Sequence, residues 1–124
     1  MAIHSRQDGK GFIWTCSGIV SPQEFYDHNS KLWMDGGFKT ARFLVIDGRD
    51  ADFQFLSEVD IEPWSTLYTN ETGDHAPKRV AFATAEPAVL GFADRFIAVF
   101  TDAGSRWDFS VFERLPDAIA WATR

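Results

Sequence analysis

The chain of 124 residues carries 12 Lys and Arg against 18 Asp and Glu, a formal charge of −6, and 45% of its residues are hydrophobic. This composition describes one folded domain spanning 1–124, able to bury about two thirds of its unfolded surface without a disulfide or structural metal. The negative charge argues against nucleic acid or anionic membranes as partners.

The lone Cys16 cannot form an internal disulfide, and no Cys/His spacing matches a zinc site. The longest stretch without a charged side chain, Gly11 to Gln23, falls short of the ~20 apolar residues that span a bilayer. The N-terminal residues lack a basic-then-apolar signal pattern. A reducing cytoplasm is the expected location, with no cofactor and no metal.

No linker, repeat or low-complexity tract divides the sequence, so strands and helices are read as one series. Residues 2–7 and 11–20 flank Asp8-Gly9, a dipeptide suited to a hairpin turn, and Phe12, Trp14 and Cys16 share a face by two-residue alternation. Ser21-Pro22-Gln23-Glu24 supplies a capping hydroxyl, a proline tolerated in the first turn and an acid able to complete a capping box. The spacing predicts a helix with Phe25, Tyr26, Asn29, Leu32 and Trp33 on one stripe, ending at Gly36-Gly37.

Residues 42–47 form a continuous apolar run, as expected of a central strand covered on both faces. Gly48 to Phe55 reads as a loop. Two helix starts then compete: Ser57 with Asp60 three residues on, or a start near Asp60. The first puts Pro63 inside the helix at a cost of about 3 kcal/mol, so the second is expected, with Ile61, Trp64 and Tyr68 on one face and an end before Gly73. Residues 79–84 repeat the buried-strand pattern. A helix over 86–100 carries Val89, Leu90, Phe92, Ala93, Phe96, Ile97 and Phe100 over an arc wider than the ordinary ~100° stripe. Residues 106–112 alternate as an edge strand, and Pro116-Asp117 opens a last helix. The alternation predicts an α/β domain.

Groups able to do chemistry are few. Cys16 lies among aromatics with no neighbour to lower its pKa and reads as an inert core thiol. His4, His28 and His75 read as surface residues. Asp47, Asp50, Asp52, Glu58, Asp60 and Glu62 gather near the carboxyl end of the central strand, where open α/β sheets bind ligands, but an acidic loop without further motif reads as solvated. No nucleotide-binding glycine motif is present. The surplus of aromatics on two successive helices makes Trp64, Tyr68, Phe92 and Phe96 candidates for an apolar pocket.

The element order, with RFLVID and RVAFAT strands, an FADRF helix and a closing VFERLPDAIAWA segment, resembles the SpoIIAA-like group, relatives of the STAS domains of anti-sigma-factor antagonists. The resemblance implies a SpoIIAA-like single domain with a four- to five-stranded mixed sheet and about four helices. In phosphorylated STAS proteins a serine stands where the loop after the central strand meets the next helix; Ser57 falls close to that place, in Leu56-Ser57-Glu58-Val59 without the usual glycine. The group has also been likened to lipid-carrying domains.

The expected function is a non-catalytic binding or regulatory module engaging a protein partner or a small apolar ligand. A homodimer is compatible with this reading. The alternatives are a lipid-carrier-like protein and an enzyme whose groups meet only in three dimensions, pairing His75 with Asp50 or Asp60.

Overall fold

The computed structural model describes residues 2–70 and 76–124. Strands β1 (Ile3–Asp8), β2 (Gly11–Ile19), β3 (Phe43–Asp52), β4 (Arg79–Ala83) and β5 (Asp108–Phe112) form one sheet in the order β1-β2-β3-β4-β5. The β1–β2 hairpin is antiparallel, and every later pairing is parallel. Gly9, at φ +56°, supplies the left-handed turn residue that Asp8-Gly9 predicts.

Each parallel strand is added on the same side of the last, so right-handed crossovers must bring their helices to one face. α1 (Pro22–Met34), α3 (Glu58–Asn70) and α4 (Pro87–Asp102) accordingly pack on the face carrying Phe12, Trp14, Cys16, Leu44, Ile46, Val80 and Phe82. The alternate residues Ile13, Phe43, Val45, Ala81 and Ala83 meet α5 (Leu115–Ala122), whose Ala118 and Ala122 allow close approach. A five-residue helix, α2 (Gly36–Thr40), precedes β3.

Several elements depart from expectation for identifiable reasons. Gly36-Gly37 stops α1 but also starts α2, because the Asp35 carboxylate accepts from the Gly37 N–H at 2.8 Å. Glu24 does not close a capping box; its carboxylate accepts the Ile3 N–H at 3.0 Å and ties α1 to β1. β3 runs on to Asp52, past the expected end at Asp47, because a register shift between Thr15 and Ser17 lets β2 stay paired with the polar extension.

α3 starts at Glu58, with Pro63 inside it. The carbonyl that Pro63 leaves unbonded belongs to Val59, on the solvent side of the helix, where water can take the missing donor's place. No helix among the described residues is long and apolar enough to cross a membrane.

Candidate functional site

At the carboxyl end of the sheet, β3 leads into a tight connection to α3. Asp52 accepts from the Gln54 backbone N–H at 2.9 Å and from its side-chain amide at 2.8 Å, and the Leu56 N–H returns to the Phe53 carbonyl at 3.0 Å. Phe53 and Leu56 are the buried anchors of this turn, so the residues between them face outward and Phe55 is 58% exposed. The same end holds Ile19, paired with Asp52 and 56% exposed, and Val59, in the first turn of α3 and 73% exposed.

Ser57 lies between Phe55 and Val59, exposed, directly before α3. Its N–H donates to Asp60 Oδ2 at 2.9 Å, its hydroxyl lies 3.4 Å from the same oxygen, and the Asp60 N–H donates to the Ser57 carbonyl at 3.0 Å. Asp60 thus caps the helix from its third position, satisfying one donor of the entering chain. The rejected pairing of Ser57 with Asp60 is the one that forms, and the hydroxyl stands at the helix entrance facing a carboxylate.

The acids do not act as one cluster. Asp47 is buried and holds Arg49 in a bidentate pair, at 2.9 Å to Nε and 3.0 Å to Nη2, and this bond favours the charged guanidinium. Asp52 is spent on its turn and Asp60 on its cap. Among the described residues no group of three or more His, Cys, Asp or Glu side chains is placed to hold a metal ion. Burial pushes the Cys16 thiol up to about 12, with the Asp47 and Glu24 charges adding to the effect, which keeps it protonated.

His4 and His28 meet elsewhere, in a groove of about 360 Å³ between β1 and α1 with Ser5, Lys31 and Asp35. His28 is buried, contrary to the surface position expected for it, and packs edge-on against Trp14 because its helix face turns toward the sheet. Burial lowers its pKa. His75, and with it the expected pairing to Asp50 or Asp60, lies outside the described residues.

The four aromatic candidates are all buried. Phe92 meets Phe25 and Phe53, Phe96 meets Phe82, Phe100 and Phe109, Trp64 meets Tyr26, and Tyr68 meets Trp33, Phe38 and Trp107. Burial also pushes the Tyr68 phenol up. These rings pack among themselves across α1, α3, α4 and the sheet, and a ligand placed there would have to displace them.

Sequence reasoning missed one group entirely. Lys78 is 2% exposed, and its ammonium donates to the carbonyls of Phe38 at 2.6 Å and Ala41 at 2.8 Å. The available signal was slight: a Lys two residues before the apolar run that starts at Val80.

The chain is similar to the crystal structure of an uncharacterized protein from the DUF3478 family with a SpoIIAA-like fold from Shewanella loihica PV-4. The TM-score is 0.61 at 20% sequence identity, over 98% of this chain and 92% of that one. No protein-family model matches the chain, and no curated protein matches it. The fold is SpoIIAA-like: among the described residues, a five-stranded mixed sheet with five helices.

Proposed function

We propose that the protein is a non-catalytic docking module that engages a protein partner through the carboxyl end of its sheet. The observation that carries this reading is the exposure of Phe55 and Val59, two large apolar side chains on either side of Ser57. Side chains of this size left in water at one end of a molecule are what a partner surface buries, and the polar Gln54, Glu58 and Asp50 supply the hydrated rim. Ser57 falls close to the position at which the resemblance to STAS domains implies a phosphoacceptor serine. A phosphate there would add about two negative charges beside Glu58 and Asp60 and so alter docking to the partner.

The test is affinity capture with the Phe55→Ser/Val59→Ser double variant. Both side chains are largely in water, so the fold is retained, and the wild type is expected to hold a discrete partner that the variant loses by at least tenfold. Equal capture by both, or none by the wild type, contradicts the proposal. Titration with a fluorescent fatty acid separates docking from carriage of an apolar ligand among Trp64, Tyr68, Phe92 and Phe96. Docking predicts no saturable uptake.

A further inference from the structure

We propose that the opposite end of the molecule, a groove at the amino ends of the parallel strands, binds a compact, multiply charged phosphate compound. The groove has a volume of about 970 Å³, ample for a small organic ligand, and is lined by Lys10, Lys39, Arg42, Arg79 and Arg124 over an apolar floor that includes Phe43. Among the described lining residues Asp8 is the one acidic side chain. The described lining side chains therefore sum to +4, leaving −10 on the rest of a chain whose formal charge is −6. A net charge that argues against anions on average conceals this separation.

The cations are spaced by the backbone. The Arg42 N–H donates to the Lys10 carbonyl at 2.7 Å, and the Arg79 N–H donates to the Arg42 carbonyl at 2.9 Å, so the three residues stand in neighbouring rows at the entrance to β2, β3 and β4. Rows about 4.8 Å apart suit the separated charges of a diphosphate or a phosphate ester.

Part of the positive charge has a structural use. The crossover helices end at this side of the sheet, and helix C-termini favour cations. Arg79 donates to the carbonyls of Trp121 at 2.8 Å and Arg124 at 3.1 Å at the end of α5. Lys10, Arg42 and Arg124 have no such duty: among the described residues no carboxylate or carbonyl engages their side chains. A long polyanion would extend past the groove onto the remainder of the molecule, whose formal charge is −10, and be repelled. A compact phosphate compound avoids that surface, which favours it over nucleic acid. The inference holds whether or not the other end docks a protein.

The test titrates the full chain with inorganic pyrophosphate and with metal-free ATP at low ionic strength, observed by amide chemical shifts. Saturable binding is expected, with shifts centred on residues 9–11, 40–43 and 122–124. The Lys10→Ala/Arg42→Ala variant should bind at least tenfold more weakly, whereas Lys31→Ala, which removes an exposed charge elsewhere, should bind like the wild type. Lys10 and Arg42 are exposed, so an unchanged thermal unfolding curve verifies the variant's fold. Failure of both probes to saturate, or equal binding by the double variant, overturns the proposal. So does binding of poly(U) or phosphatidylserine vesicles with no binding of the small phosphates.

Discussion

Lys78 shows how a single residue can be retained at a cost. Its ammonium closes the carbonyl end of α2 and lies 4.4 Å from the centre of the Phe38 ring, so the charged form has partners. Burial nevertheless lowers its pKa from 10.5 to about 8. A base whose folded pKa lies below its unfolded one binds fewer protons when folded, so stability must rise with pH between about 8 and 10.5 and fall as pH drops through that window. Cys16 acts oppositely, because its raised pKa makes stability fall as pH climbs above 9.0. The contribution of Lys78 is therefore isolated by difference. Urea midpoints of wild type minus Lys78→Met are expected to increase from pH 7.5 to 10; a flat difference would contradict the assignment. At pH 7 the variant leaves the buried Ala41 carbonyl without its donor, worth about 1–3 kcal/mol, set against relief of the buried charge, while the Phe38 carbonyl keeps the Ala41 N–H at 3.1 Å.

At the scale of elements, α3 is the informative case. Pro63 lacks an N–H for the Val59 carbonyl, and the helix tolerates this on its wet side while Ile61, Trp64 and Tyr68 bury the other. Pro63→Ala is expected to stabilise the protein by about 2 kcal/mol, from ~3 kcal/mol of helix propensity less up to ~1 kcal/mol for a freer unfolded chain. An unchanged or lower urea midpoint would show that the proline fits its site without strain.

The same helix marks where sequence periodicity stops being informative. β2, α4 and β4 were legible because Phe12, Trp14 and Cys16 alternate, Val89, Phe92, Phe96 and Phe100 recur at helical spacing, and the run from Val80 to Ala83 is uniformly apolar. The start of α3 was not, because the penalty for Pro63 is a local number and burial of Ile61 and Trp64 overrides it. The polar extension of β3 was hidden for a similar reason: Gly48 to Asp52 resembles a loop until the bulge in β2 supplies its partner. Within the candidate site, Ser57 was singled out by the resemblance alone, because the penalty for Pro63 argued against the pairing with Asp60 that forms. Phe55 and Val59 were not, since an apolar residue carries no sequence mark that separates a core position from a surface one.

The whole molecule has two unlike ends. Successive parallel strands are added in one direction, so among the described strands the order never reverses, and the crevice that forms where an α/β sheet changes direction is not built. What remains are the ends themselves. One presents Ile19, Phe55 and Val59 around Ser57, and the other carries Lys10, Arg42 and Arg124 at the strand entrances. The helices between them enclose an aromatic interior in which Phe96 and Phe100 stack at 4.5 Å and Phe100 and Trp107 at 5.6 Å.

Docking at the carboxyl end is tested most directly by photo-cross-linking in cells, with a benzophenone side chain placed at position 59 and, as a control, at the exposed position 7 on β1. The account predicts a discrete protein adduct from position 59, absent from position 7 and suppressed when Phe55 is also changed to Ser. Adducts of equal yield from both positions, or none from position 59, would contradict it.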